Sequence, residues 1–276
     1  MTLTIEDPTF AAYEPLAPFY DRYTHDFGHA PWLANIEAIA LHHGLRGRRL
    51  LDVGCGTGKS FLPLLERGYE VTACDISPAM VERARQLAAG TDTRVVVADA
   101  RELPVLGRFD LVTSIDDALN YLLSDAELRM AFEGVARNLR PGGLFAFDLN
   151  TLSCYRDYFA RDMAVEADGT FFCWRGAGDG DAVEPGGIYS SVIEIFDSED
   201  GGAWRRVSST HVQRHHPPAV VERLLAQTGF ELVERRGQVL GDRMDPVGDE
   251  ELHMKLDYFA RRLPTAFDSA APAAAA

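Results

Sequence analysis

The chain has 276 residues, 46% of them apolar, enough to bury a full core in one elaborated domain. Its 42 acidic residues outnumber 27 basic ones for a formal charge of −15, a field that repels nucleic-acid phosphates and anionic membrane surfaces, so neither is an expected partner. Cys55, Cys74, Cys154 and Cys173 form no C-x-x-C pair and no metal-ligand spacing, no basic leader opens the chain, and no apolar run approaches about 18 residues, which together predict a reduced, cytoplasmic protein without a metal.

In chain order, Phe19, Tyr20 and Tyr23 recur at helical spacing and precede a helical stretch over 31–43. Alone they read as a packing stripe. Leu50-Leu51-Asp52-Val53-Gly54-Cys55-Gly56-Thr57-Gly58 then runs a short apolar strand into a loop with glycine at every second position, which lets main-chain amides press against a ligand. A helix near 59–67 would add its positive end there. The spacing excludes a dinucleotide fingerprint, because Lys59 and Phe61 stand where a third glycine belongs. Gly58-Lys59-Ser60 supplies the end of a phosphate-binding P-loop, but Val53 replaces its first glycine. A P-loop nucleotide enzyme stays as a minor alternative. Asp52, just ahead of the glycines, can accept from an ammonium group or a water.

A second strand over 69–75 ends on Asp75, about 20 residues past the loop, where doubly wound folds place a carboxylate for ribose hydroxyls. Ser77-Pro78 opens the next helix, so a helix-capping role for Asp75 is the competing reading. A third strand over 93–98 ends at Asp99-Ala100. A fourth over 109–115 leads into Asp116, which falls at the same sheet edge, and a fifth over 143–147 ends in Asp148-Leu149-Asn150-Thr151. Strands and helices alternate, which predicts an α/β fold with a parallel sheet and ligands at its carboxyl edge. Three strands over 170–174, 187–196 and 203–212 then form an antiparallel insert, a helix follows over 218–228, and 230–236 with 253–261 returns as a closing hairpin. His215-His216-Pro217-Pro218 reads as a helix start.

The Asp52–Gly58 pattern D-x-G-x-G-x-G resembles the first motif of the class I S-adenosylmethionine-dependent methyltransferases. Tyr20-Asp21-x-Tyr23, Asp116-Asp117-Ala118-Leu119-Asn120-Tyr121-Leu122, Phe147-Asp148-Leu149-Asn150-Thr151 and His211-x-x-Arg214 are similar to a bacterial small-molecule subgroup with an inserted β-sheet, over roughly residues 13–262. The resemblance implies a Rossmann-like, doubly wound, seven-stranded sheet with an N-terminal helical lid and an antiparallel cap. Its division would be 1–44 lid, 45–151 with 217–262 core, 152–216 cap and 263–276 disordered tail. S-adenosylmethionine would be held by Asp52, Gly54, Cys55, Gly56, Gly58, Asp75, Ile76, Asp99, Ala100 and Ile115, with Asp99 facing the adenine amino group. The reaction would be in-line methyl transfer to nitrogen or oxygen of a small-molecule acceptor, with His211, Tyr20 and Asp116 as catalytic candidates and Tyr23, Asn120, Trp174 and Arg214 holding the acceptor. His211 would be the base if the acceptor is a hydroxyl; a histidine on an exposed strand face is the plainer reading. No Asn-Pro-Pro-Tyr tetrapeptide follows the fourth strand, which disfavours methylators of base or glutamine amides. A non-catalytic S-adenosylmethionine-binding regulator is the alternative from another class, and both monomer and homodimer stay open.

Overall fold

The computed structural model describes residues 7–25, 28–177, 182–198, 202–239 and 243–264. Before the first strand come α1 (Pro8–Leu16), a 3-10 turn (Ala17–Phe19), α2 (Tyr20–Tyr23) and α3 (His29–His42). Asp7 caps α1 by accepting the amides of Thr9 and Phe10, and Pro8 begins the helix where no amide donor is needed. β1 (Arg49–Val53), α4 (Leu62–Glu66), β2 (Glu70–Asp75), α5 (Pro78–Leu87), β3 (Arg94–Val97), β4 (Phe109–Ser114), α6 (Asp125–Asn138) and β5 (Leu139–Asn150) follow.

The five strands pair in parallel in the order β5-β4-β1-β2-β3. The chain builds outward from β1 to β3, then crosses back to lay β4 on the other side of β1. Loops leaving β1 and β4 therefore diverge, which opens a crevice at the carboxyl edge. Leu51 and Val53 enter one apolar cluster while Leu50 enters another, and along β5 Phe145, Phe147 and Leu149 alternate with Leu144 and Ala146 in the same way. A sheet apolar on both faces needs helices on both.

Beyond β5, α7 (Leu152–Cys154) and a π-helical turn (Tyr155–Phe159) lead to a second, antiparallel sheet of β6 (Met163–Ala167), β7 (Thr170–Ala177), β8 (Ile188–Ser198) and β9 (Trp204–Arg214), in that order. Three inserted strands were expected and four are present. Asp168 (φ +48°) and Gly169 (φ +74°) make the tight turn that adds β6 as a hairpin partner of β7. A third apolar cluster binds this sheet to the N-terminal segment, with Phe172, Trp174, Ile193 and Ile195 against Leu16 and Phe19. Burying each such side chain contributes about 1.5–3 kcal/mol.

The chain returns through α8 (Pro218–Gln227), β10 (Phe230–Gln238), β11 (Met244–Asp245) and β12 (Lys255–Arg262). α6 and α8 cover the first face of the main sheet; α3, α4 and α5 cover the second. β12 runs antiparallel between β5 and β10, and the two-residue β11 makes an eighth strand at the edge of the expected seven. β5 is longer than the sequence predicts, so Asp148 and Asn150 are strand residues, opposite Asp257 and Lys255 of β12. The expected disordered tail lies, from residue 265 on, outside the described residues. Among the described residues no helix is long and apolar enough to cross a membrane.

Candidate functional site

The loop after β1 takes its shape from glycines in the left-handed region: Gly54 at φ +75°, Gly56 at +52° and Gly58 at +97°. A Cβ on Gly54 would lie 2.8 Å from Ala118 Cβ, and one on Gly58 2.9 Å from Phe61 Cζ, so the loop is packed from behind. At Gly56 the nearest atom is Tyr20 Cε1 at 3.8 Å, and this side is open. The helix expected from Lys59 begins only at Leu62 and lasts five residues, with turns over 56–61. Loop amides, rather than a helix terminus, thus face the crevice.

Asp75 at the end of β2 secures this loop. Its Oδ2 accepts the Gly56 amide at 2.8 Å and its Oδ1 the Ser77 amide at 2.9 Å. Ser77 caps α5 through its own hydroxyl, 3.1 Å from the Met80 amide, so the cap is Ser77 and Asp75 lines the crevice. Burial raises the Asp75 carboxyl above the usual range, against the pull of the amides of Ser77, Gly56 and Ile76.

These elements enclose a chamber of about 900 Å³, counting the open space at its mouth. Gly54, Cys55, Gly56 and Asp75 line it, as do Ile76, Asp99, Ala100 and Ile115. Two expected ligand contacts fall elsewhere. Asp52, 1% exposed, lies behind the loop, accepts the hydroxyls of Ser60 and Thr113, and is pushed up to about 6 by burial. Gly58 shapes the turn without lining the chamber. Asp99 is already gripped by the Arg101 guanidinium, which also reaches Asp7. Lys59, which kept a nucleotide-phosphate reading open, donates to the Thr24 carbonyl at 2.6 Å. Ser114 Oγ, in the chamber wall, is buried and has no partner among the described residues.

A second chamber of about 1060 Å³, counted the same way, adjoins the first. Tyr23, Tyr158, Phe159 and Trp174 give it an aromatic side, and Asp117, Asn150, Gln213 and Lys255 a polar one. Tyr13, Tyr20, Asp116 and Tyr121 line both chambers and form the partition between them.

Asp116 (φ +60°) and Asp117 (φ +52°) sit in the left-handed region, which aspartates adopt more readily than most side chains; Asp116 lines both chambers and Asp117 the second. Lys255 Nζ lies 2.6 Å from Asp117 Oδ1, 2.9 Å from Asp148 Oδ2 and 3.6 Å from Asp116 Oδ1. His29 Nε2 is 2.5 Å from Asp116 Oδ2. Burial alone would raise Asp116, but the His29 hydrogen bond and the Lys255 charge hold it at about 2, an ionised carboxylate. Burial likewise opposes the Lys255 charge, and the surrounding carboxylates keep it well above the ordinary lysine value. Asp148 is pushed up to about 6 by burial and Asp257, beneath it, to about 8. The sequence reading missed Lys255, Asp148, Gln213, Tyr13 and Tyr121 as site residues.

His211 is not on an exposed face: it is 2% exposed and lines the second chamber. The directions that satisfy every member run from Tyr13 OH to Tyr121 OH at 3.0 Å and from Tyr121 OH to His211 Nδ1 at 2.7 Å. They continue from His211 Nε2 to Ser209 Oγ at 2.9 Å and from Ser209 to the Ala12 carbonyl at 2.5 Å. Burial pushes the ring down to about 4. With both nitrogens hydrogen-bonded, His211 braces α1 against β9, and burial makes it a weaker base than the sequence reading expects. Asn120 and Arg214, expected to hold the acceptor, line neither chamber. The Asn120 amide, fully buried, bonds the Asn150 amide and the Arg214 carbonyl, while the Arg214 guanidinium pairs with Asp125 at 2.7 Å. Tyr20, Tyr23, Trp174 and Asp116 do meet around the second chamber.

Residues 50–143 match the family described as a methyltransferase domain. The chain is 30% identical over 226 residues to YqeM of Bacillus subtilis (strain 168), a protein that carries a methyltransferase name, covering 80% of this chain and 87% of that one. It is 26% identical over 244 residues to the glycine/sarcosine N-methyltransferase of Parasynechococcus marenigrum (strain WH8102), covering 82% of each. Among solved structures, an S-adenosylmethionine-dependent methyltransferase from Clostridium acetobutylicum ATCC 824 superposes with a TM-score of 0.76 at 23% identity, covering 91% of this chain and 99% of that one.

Proposed function

The chain belongs to the S-adenosylmethionine-dependent methyltransferase family, and on that premise we propose that it methylates an amine nitrogen of a small molecule, with the donor in the first chamber and the acceptor in the second. The observation that carries this reading is Asp116, a carboxylate held ionised in the partition between the chambers. When bound, S-adenosylmethionine supplies an electrophilic methyl group on a sulfonium.

The chain's own residues fit such a guest. The open side of Gly56 leaves room against the loop, Asp75 offers further lone pairs at the ribose position, and the orphaned Ser114 hydroxyl needs a polar partner. Asp99 with Arg101 closes the adenine end. On the acceptor side, Asp116 accepts an N–H from the amine, so that the nitrogen lone pair turns toward the partition. Alignment of this kind supplies up to about 7–11 kcal/mol at the favourable limit.

A hydroxyl acceptor would need a base with a pKa near neutrality. The four residues that form the partition do not supply one: Asp116 lies at about 2 and burial raises the phenols of Tyr13, Tyr20 and Tyr121, while His211 behind them lies at about 4 and His29 is engaged with Asp116 at 2.5 Å. An amine bound neutral needs no such group. The nitrogen chemistry named for the Parasynechococcus relative points the same way.

The test begins with calorimetric titration by S-adenosylhomocysteine, with NADH and ATP-magnesium as controls, and continues with labelled methyl donor and matched panels of primary amines and phenols. Amine turnover that collapses in Asp116→Asn supports the reading. Turnover of phenols alone overturns it.

A further inference from the structure

Within the second chamber the polar network fixes the orientation of one amide and leaves one of its atoms over. Lys255 holds Asp117 Oδ1, and Gln213 Nε2 donates to Asp117 Oδ2 at 2.6 Å. Gln213 cannot be turned over without setting its carbonyl against that carboxylate, so its Oε1 accepts from Asn150 Nδ2 at 2.9 Å and from the Tyr155 hydroxyl at 3.2 Å. Asn150 must then give its NH2 to Gln213, and its Oδ1 becomes the unused end. Asn150 is 5% exposed and lines the chamber, and its Oδ1 is shut off from bulk solvent with no hydrogen-bond partner among the described residues. A buried acceptor left without a donor is destabilising, and a charge-anchored relay that keeps it so marks a position reserved for a ligand.

We infer that Asn150 selects acceptors carrying, besides the amine that is methylated, a second hydrogen-bond donor, a hydroxyl or a further N–H, on the same small framework: amino alcohols and diamines in preference to simple amines. Gln213 is the positioning residue, acting through the orientation it imposes on Asn150. This inference rests on the acceptor occupying the second chamber, as proposed above. Discrimination follows from the polar atom itself, because a site built to receive a donor rejects the analogue lacking it more strongly than an apolar pocket rejects a change of shape.

The test uses the full-length protein saturated with S-adenosylhomocysteine and compares, by calorimetry, cyclohexylamine with the positional isomers of aminocyclohexanol. The best isomer should bind the unmodified protein about tenfold or more tightly than cyclohexylamine, a loss typical of one unpaired buried group. That ratio should fall below about twofold in Asn150→Ala and also in Gln213→Met, where Asn150 is intact but no longer oriented. A fold defect would weaken both amines together and leave the ratio standing. No preference in the unmodified protein, including no binding by any isomer, overturns the inference, as does a preference kept in both variants. Methyl transfer from labelled donor to the same amines reads the parent proposal separately: preference without transfer sinks amine methylation and keeps the Asn150 role, and transfer without preference does the reverse.

Discussion

Much of the first chamber's wall comes from the glycine loop after β1 and the short stretches that follow β2, β3 and β4, with Thr9, Tyr13, Tyr20 and His29 closing it from the N-terminal helices. The second is walled by side chains from α1, α2, β5, β7, β9 and β12, several of them aromatic or charged. Main-chain walls are set by topology and persist through substitution, so they suit a ligand common to many sequences. Side-chain walls can be rewritten one residue at a time, which is where acceptor choice is free to diverge.

The largest effect expected from this contrast is at Gly54. Its φ of +75° and the 2.8 Å approach to Ala118 leave no room for Gly54→Val, which should lower S-adenosylhomocysteine affinity by about 100-fold or more in calorimetry. Affinity within a few-fold of the unmodified protein would break the claim that loop backbone does the holding. A crossed pair sharpens it. Asp75→Ala should weaken S-adenosylhomocysteine by about 1–3 kcal/mol while leaving the amine KM in place, and Asp116→Asn should lower kcat/KM for the amine by about 10–100-fold with little change in donor affinity. Equal losses on both sides for either variant would mean that the partition does not separate the two functions.

Smaller in size is the pH dependence. Asp116 and the buried phenols of the partition titrate far from neutrality, with His29 on Asp116 and Asp148, at about 6, on Lys255 as the neighbouring protein groups; with the amine as the titrating group, the rising limb of kcat/KM should move with its basicity when acceptors of different pKa are compared. A limb that stays at one pH for every amine would assign the titration to the protein. A separate effect, on stability rather than on either chamber, concerns Asp257, whose Oδ1 accepts from Trp32 Nε1 at 2.9 Å. Its carboxyl moves from 3.8 to about 8 on folding, so between those values the folded state keeps a proton that the unfolded chain releases. Its contribution is therefore present in full below 3.8, declines as pH rises, and is lost above about 8. In thermal melts across that window, Asp257→Asn should flatten the decline; an unchanged slope would show the carboxyl to be ionised throughout.

The first chamber was legible because many of its residues lie within a step or two of a strand end, and apolar runs reveal strand ends. Gly54, Gly56, Asp75, Ile76, Asp99 and Ile115 all follow from that rule. It fails where facing matters more than position: Asp52 and Gly58 belong to the same motif yet turn behind the loop. Asn150, Gln213 and Lys255 were hidden for a different reason. Their meeting depends on the register of β12 against β5 and on how β9 lies across both, and neither pairing is written in local pattern. Ser209, His211 and Gln213 do alternate on one face of β9, but the alternation alone leaves open whether that face meets solvent or the chamber. The Asp168-Gly169 turn was a readable signal for β6.

Residues 7–25 touch nearly everything that matters. Glu14 accepts the Ser77 hydroxyl, Asp21 the Thr57 hydroxyl and Asp7 the Arg101 guanidinium, while Tyr13 and Ala12 hold the two ends of the bond circuit through His211. Because Tyr13 borders both chambers, any displacement of this segment would alter the walls of the two together. One segment seated against both chambers ties their shapes together, so a change in how it packs at one is felt at the other.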